Sequence, residues 1–318
     1  MFCKGDIVKV LIPNVTNEGY DYRATENTDV GDFVDVTVVN KKFTGLVIGK
    51  GAGGIAPEKI KPVLTRRGKG VPKATVEWLC KMSEWTMMPM GAALKLMTGA
   101  ADFSKSYRMS HIEYRNTDSI VLNDEQKTAA QSINLSGFGV HLLDGVTGSG
   151  KTQVYFDAAW RTMTDGKSVL IMMPEIALTA QFMTKFAERF GAPPTIWHSN
   201  LTPAKRRDVW HGVLDGEIKL VVGTRSALFL PYQDLGLIVV DEEHDMSYKQ
   251  EEMGNYHARD MAILLAKISN FPIILASATP SFETIRNVDI GKYKSSKLTS
   301  RFGGAMIPNI EIADQRKK

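Results

Sequence analysis

Gly145-Val146-Thr147-Gly148-Ser149-Gly150-Lys151-Thr152 matches the pattern G-x-x-x-x-G-K-[ST] at every fixed position. An apolar run with Val140, Leu142 and Leu143 precedes it, and a helix-forming stretch from Gln153 to Arg161 follows. A strand, a glycine loop and a helix in that order make a phosphate-binding loop. The glycines let the backbone turn its N–H groups onto phosphate oxygens at the helix N-terminus. The pattern assigns Gly145, Thr147, Gly148, Ser149 and Gly150 to a phosphate cradle. It assigns Lys151 to the β- and γ-phosphates and the Thr152 hydroxyl to Mg²⁺, so ATP and Mg²⁺ are the expected cofactors.

About 90 residues later a second apolar run, Leu235 to Val240, ends in Asp241-Glu-Glu-His244. An acidic pair at the carboxyl end of a strand lies where sheet ligands bind. There Asp241 is expected to hold the metal through its water shell and Glu242 to polarise an attacking water, with His244 completing a D-E-x-H element. Around these two segments the chain alternates. The patterns predict strands over 140–144, 168–173, 194–198, 218–223, 235–241 and 271–276. They predict helices over 124–134, 151–164, 175–190, 203–215 and 256–269. Such alternation implies a mostly parallel sheet flanked by helices. The expected fold class is α/β, a RecA-like P-loop lobe joined to a small N-terminal β-rich, barrel-like domain.

That N-terminal part reads differently. Short β-branched runs at 6–12, 33–39 and 44–48 are punctuated by Gly31-Asp32 and Gly51-Ala-Gly-Gly54, the signature of a small barrel or sandwich. Pro72 opens a helical pattern in which Trp78, Leu79, Met82 and Trp85 recur at helical spacing, and this predicts a buried stripe holding both tryptophans. The expected division is 1–98 for a DNA-end domain, 99–119 for a polar linker and 120–318 for the lobe.

Five further segments point at the same site. Gln126, in Leu122-Asn-Asp-Glu-Gln126, has an amide able to donate to and accept from an adenine edge; equally, Asn123 and Gln126 fit a helix capping box. Met173 to Gln181 and Gly223 to Phe229 follow strands directly, which places Thr224, Arg225 and Ser226 to grip a nucleic-acid backbone, or to cap and decorate a surface helix. Ser277-Ala-Thr279-Pro follows the last strand, where its hydroxyls can couple the acids to the γ-phosphate. Between them, Tyr248, Lys249, Tyr256 and Arg259 interleave aromatics with cations. That pattern stacks unpaired bases and holds phosphates, unless the rings pack over the sheet.

Bulk properties agree. The net charge of +4 lies wholly in residues 1–120, where 17 Lys and Arg face 13 Asp and Glu; beyond them the count is 22 against 22. A mildly basic N-terminal third is compatible with nucleic acid. No apolar run approaches the ~20 residues of a membrane helix. The opening residues carry no apolar core of a signal peptide, and Cys3 and Cys80 alone cannot build a metal site. A cytoplasmic protein without membrane contact is expected.

In these segments, and in their order and spacing, the chain resembles the bacterial primosomal replication-restart helicases of the PriA (primosomal protein N-prime) family, superfamily 2. The resemblance implies an ATP-dependent 3′-to-5′ DNA helicase acting on stalled or branched forks, single strands and nascent 3′ ends. Primosome proteins and single-strand-binding protein are the implied partners. It carries the family's aromatic-Asp-Tyr pattern onto Tyr20-Asp21-Tyr22. Tyr20 is then implied to stack on the terminal base, Asp21 to read the 3′-hydroxyl, and Lys61 to hold the strand. The family's Pro-Phe-Gly turn is replaced by Thr37-Val-Val39. Residues 99–120 leave no room for the usual winged-helix domain, and the second lobe, with its arginine fingers and zinc-binding cysteines, would lie beyond Lys318. Two other readings are a fork-binding module with a regulatory nucleotide site and a translocase on duplex DNA.

Overall fold

In the computed structural model, residues 1–14, 18–54, 56–108, 112–117, 121–251 and 254–301 are described. The expected lobe boundary at Ile120 and the part of the expected lobe beyond Arg301 lie outside the described residues.

The chain opens with β1 (Ile7–Leu11), β2 (Tyr20–Arg23), β3 (Phe33–Val38), β4 (Lys41–Lys50) and β5 (Thr65–Arg67). They form one antiparallel sheet in the order β2-β1-β4-β3-β5. The free edge of β2 takes up the segment leading into β5: Arg23 N–H donates to the Lys61 carbonyl and Val63 N–H to the Arg23 carbonyl, each at 2.9 Å. The two edges are thereby drawn together, which gives the sheet its barrel-like curl. Val8, Val10, Val34, Val36 and Val47 fill its inside.

Two helices follow, α1 (Lys73–Thr86) and α2 (Met90–Thr98), each entered through a proline whose fixed φ suits a helix start. α1 ends at Met87 in the left-handed conformation. Then come α3 (Asp124–Ser132), β6 (Gly139–Gly145), α4 (Lys151–Thr164), β7 (Ser168–Met172), α5 (Ala180–Phe190), β8 (Thr195–Trp197), α6 (Pro203–Asp215), β9 (Leu220–Gly223), β10 (Leu235–Asp241), β11 (Lys249–Gln250), β12 (Tyr256–His257), α7 (Ala258–Ser269), β13 (Pro272–Ser277), α8 (Phe282–Asp289) and β14 (Lys294–Leu298). β6–β10, β13 and β14 make a parallel seven-stranded sheet in the order β14-β6-β13-β10-β7-β9-β8. Central strands such as Ile238-Val-Val240 and Ile273-Ile-Leu275 are fully buried. Covered on both faces, they are continuous apolar runs.

Three departures from the sequence reading have plain causes. The helix expected from 175 breaks after Pro174 into a single turn, and α5 starts only where the Thr179 side chain accepts from Phe182 N–H. Tyr256 and His257 pair with β11 before α7 begins. β14 was not anticipated, because Lys-Ser-Ser-Lys-Leu shows no apolar alternation; it is an edge strand on β6.

The N-terminal sheet and the lobe share one core. The Trp78 indole donates to the Met261 carbonyl in α7 at 2.9 Å, and the Trp210 indole in α6 donates to the Met97 carbonyl in α2 at 2.7 Å. The stretch expected to be a linker is packed: Phe103 lies between Phe33 and Trp210, Tyr107 stacks on His211 and bonds to Asp215, and Tyr114 lies against Phe186 and Phe190. Its aromatics are too sparse to give a periodic signal. Trp85 corrects the buried-stripe expectation. It is 63% exposed, at the rim of a hollow of about 410 Å³ shared with Phe138, Ile263 and Tyr293. The helical period puts it on the correct face, but the covering partner stops short of it.

Trp78→Ala should therefore cost about 3–5 kcal/mol, whereas Trp85→Ala should stay within ~0.5 kcal/mol; urea midpoints of the two variants check this. A second prediction concerns His141 on β6. Burial, reinforced by Lys294, lowers its pKa to about 4. The unfolded chain takes up this proton below pH ~6.5, and the folded chain resists it until about pH 4. Stability should fall across that window by on the order of 2–3 kcal/mol, and His141→Gln should flatten that part of the stability–pH curve.

Candidate nucleotide and nucleic-acid sites

β6 delivers Gly145 to the carboxyl edge of the sheet, and the loop turns through Gly148 and Gly150, at φ +82° and +84°. Gly150 passes so near α3 that a Cβ there would collide with the Gln126 amide; one on Gly145 would meet Ser149 Oγ. Val146, Thr147 and Gly148 face solvent. Lys151, the first residue of α4, is buried and its ammonium donates to the Gly145 carbonyl at 2.7 Å. Ser149 Oγ is buried with no hydrogen-bond partner. Buried polar atoms rarely stay unpaired. An orphaned hydroxyl inside a glycine cradle at a helix N-terminus fits a bound phosphate group.

The capping box expected at Asn123 and Gln126 is present, and it qualifies the adenine reading. The Gln126 carbonyl oxygen accepts from Asn123 N–H at 3.0 Å, and its amide nitrogen donates to the Ser149 carbonyl at 2.9 Å. The residue is fully buried. Both ends of its amide are engaged by the protein, so Gln126 braces the phosphate loop instead of presenting an open edge to a base.

Asp241 ends β10 at 9% exposure. Its carboxylate accepts from the Tyr155 hydroxyl at 2.9 Å and from Glu242 N–H at 3.0 Å. Burial raises its pKa to about 6; Glu242 adds to the rise, and Tyr155 and the Lys151 charge oppose it. A divalent cation would relieve this unfavourable charge. Tyr155, which burial and Asp241 together keep protonated, lies one helical turn after Lys151, on the same face of α4. Glu242 holds a left-handed conformation, φ +46°, worth roughly 1–3 kcal/mol of strain in a residue with a side chain. His244 Nδ1 lies 2.7 Å from Ser277 Oγ and Nε2 lies 3.4 Å from Thr279 Oγ1, so the expected coupling residues do meet the D-E-x-H element.

The second region is a groove of about 530 Å³ along the ends of β7 and β9, with Pro174, Glu175, Ser199, Thr224, Arg225, Ser226, Ser247 and Gln250 among its walls. Arg225 reaches across it, its guanidinium donating to the Ser247 and Lys249 carbonyls at 3.1 and 2.9 Å. Lys249 is exposed and pairs with Glu251 at 3.0 Å. Three residues expected to hold DNA are corrected. Tyr248 and Tyr256 are 1% and 5% exposed, too buried to stack on bases. The Tyr248 hydroxyl donates to the Asp241 carbonyl at 2.6 Å, and Tyr256 packs edge-on against Phe229. Arg259 is buried and committed to Glu243, at 2.7 Å, and to Asp260. Glu243 carried no signal of its own in the sequence. It is wholly buried and also accepts from Ser281 N–H at 2.6 Å and from the Thr284 hydroxyl at 3.1 Å. It lies in the turn after β10, where strand alternation gives no guide.

On the N-terminal sheet, Tyr20 is 39% exposed at the β2 edge. The Asp21 carboxylate accepts from Gly53 N–H at 3.0 Å. Gly51 passes so close that any Cβ would press on Ile7 and on that carboxylate. Lys61 is exposed and lies beside β2 through the bridge to Arg23. The structure thus puts Tyr20, Asp21 and Lys61 along one edge. Thr37–Val39 lies behind it, the Thr37 carbonyl accepting from the Tyr22 hydroxyl at 3.1 Å.

Residues 123–288 match the DEAD/DEAH box helicase family. The chain belongs to that family. Residues 9–99 match a 3′DNA-binding domain (3′BD). Among curated relatives, replication restart protein PriA of Rickettsia conorii is 39% identical over 98% of this chain and 49% of its own length. PriA of Haemophilus influenzae is 47% identical over 58% of this chain and 26% of its own. The chain spans about half the length of the Rickettsia relatives it matches. A solved structure of RecG bound to a three-way DNA junction is similar at 19% identity and a TM-score of 0.43, over 74% of this chain and 30% of that one. This helicase-family chain therefore combines a DNA-binding region with a helicase region, both resembling PriA.

Because Gly150 has no room for a side chain and Gly148 has nothing within 4 Å, the two should respond differently to alanine. Gly150→Ala should weaken binding of a fluorescent ATP analogue more than tenfold by displacing Gln126. Gly148→Ala should cost only the left-handed strain of about 1 kcal/mol. Fluorescence titration of both folded variants checks the contrast.

Proposed function

We propose that the chain is the DNA-binding and ATP-binding half of a PriA-like, ATP-dependent 3′-to-5′ DNA helicase of replication restart. On this reading residues 1–98 take nascent 3′ ends at branched forks, and the lobe from residue 120 takes ATP and the single strand. The observation that carries it is the cradle around Ser149: an unpartnered buried hydroxyl, two left-handed glycines and Lys151, with the buried Asp241 within range of the Lys151 charge.

Thr152 and Asp241 would hold Mg²⁺, which when bound neutralises phosphate charge. The chain's own residues do the rest. Lys151 leaves the Gly145 carbonyl to meet phosphate oxygens. Glu242, with its carboxylate near His244 at 3.7 Å, orients the attacking water. His244, Ser277 and Thr279 pass the state of that site to the β13 loop. Thr224, Arg225 and Ser226 line the groove that takes the strand backbone. Phosphoryl transfer of this type depends on positioning and charge stabilisation, and a missing arginine finger lowers the rate by ~10³–10⁵. None of the residues assigned to this site is an arginine.

The expected outcome is that this chain binds MgATP and fork DNA, hydrolyses ATP slowly and does not unwind. Lys151→Ala should abolish nucleotide binding. Forks with a free 3′-hydroxyl should bind more tightly than 3′-phosphorylated ones, and Asp21→Ala should remove the difference. Robust DNA-stimulated hydrolysis that depends on Lys151 would sink the half-site reading; equal affinity for both forks would sink the 3′-end reading. Fork affinity that ignores both nucleotide and Asp241→Ala would favour a simple binding module.

A further inference from the structure

The first turn of α7 carries two buried links that point in opposite directions. The Met261 carbonyl accepts the Trp78 indole N–H at 2.9 Å, and Trp78 is the fully buried centre of α1. α1 in turn shares a core with Phe33, Leu11 and Leu46 of the N-terminal sheet. Two residues earlier, the Arg259 guanidinium reaches Glu243 at 2.7 Å and Ser281 Oγ at 2.8 Å. Glu243 immediately follows the strained Glu242 and precedes His244.

Glu242 is the strained point between these links. Its left-handed backbone is unfavourable for a side-chain-bearing residue and persists only where its surroundings over-determine it. The surroundings here are specific. On one side Asp241 accepts from Glu242 N–H. On the other, the Glu243 carboxylate is fixed by Arg259, Ser281 and Thr284, and Glu243 N–H donates to the Ala276 carbonyl at 3.1 Å. If α7 shifts, Arg259 carries Glu243 with it and the support for Glu242 weakens.

We propose that Glu243 is a positioning residue through which the seat of the N-terminal domain on α7 sets the conformation of Glu242. A 3′ end on that domain and MgATP at the lobe are then linked in binding. This rests on the function proposed above. Coupling between sites needs a two-state element that both ligands bias, and on this proposal the strained Glu242 is that element. Linkage makes the effect reciprocal, typically 5–150-fold.

The test is the affinity of the full chain for a fluorescent ATP analogue with Mg²⁺, measured with saturating fork carrying either a free 3′-hydroxyl or a 3′-phosphate. The readout is the ratio of the two constants, which a general loss of stability would not move. The wild-type chain should show a ratio of about tenfold. Trp78→Phe keeps an aromatic ring but loses the donated N–H and the rest of the indole; it should bind the analogue normally without DNA, with the ratio falling below about twofold. Glu243→Gln should lose the ratio likewise, and Glu243→Asp should recover part of it. A wild-type ratio of one, with both forks and nucleotide bound, overturns the linkage and leaves the proposed function standing. A full ratio in folded Trp78→Phe also overturns it. Failure of the wild-type chain to bind nucleotide, or to discriminate the forks, overturns both.

Discussion

Asp241 is a carboxylate that the fold buries almost completely, and the rest of the site is arranged around that fact. Burial raises its pKa to about 6, a net cost to ionisation on the order of 3 kcal/mol once every neighbour is counted. Two donors, the Tyr155 hydroxyl and Glu242 N–H, offset part of the burial cost. One of them comes from far along the chain and the other from the next residue. Tyr155 must stand one turn into the helix that starts at the phosphate loop, so α4 has to enter at a fixed angle. Glu242 turns its N–H back toward the Asp241 carboxylate and holds a positive φ. A cation at this point would complete what the protein donors leave undone.

The same economy governs the second acid. Glu243 is buried beside Arg259, and an isolated buried charge pair contributes little to stability because desolvation offsets attraction. It is kept through additional hydrogen bonds from Ser281 and Thr284. Those partners come from α7 and the start of α8, and Glu243 itself lies just after β10. Satisfying one carboxylate therefore fixes three backbones against each other. In the same way, Tyr248 spends its hydroxyl on the Asp241 carbonyl and holds the segment after the acids against the strand. Aromatics and cations that a base-stacking site would display are used here as internal fasteners.

How much of this was legible in the sequence follows from which interactions are local. The phosphate loop, the D-E-x-H element and the buried strands were readable because each depends on residues close in sequence and on a simple period. β14 was not, since an edge strand needs only one partner and leaves polar residues outward. The roles of Tyr248, Tyr256 and Arg259 were misread for a related reason. Their spacing is that of a nucleic-acid surface, but exposure is decided by what packs over them, and Phe229 and Glu243 are distant in sequence. Trp85 fails in the opposite sense: its helical face was right and its cover was missing.

Seen from the core, the two matched regions are less separate than their sequences suggest. A polar stretch between a β-rich segment and an α/β lobe ordinarily marks a hinge. Here the stretch inserts Phe103 between Phe33 and Trp210, while α1 and α2 lie against the lobe and lend it indole and carbonyl partners. Cutting that contact would expose two tryptophans and leave two buried hydrogen bonds without partners, a cost far above that of a typical wet domain interface. A ligand on the N-terminal sheet therefore acts on a surface continuous with the wall of the nucleotide lobe. Because the core is close-packed, a displacement at one end strains its neighbours, and α7 is the helix that touches both Trp78 and Glu243.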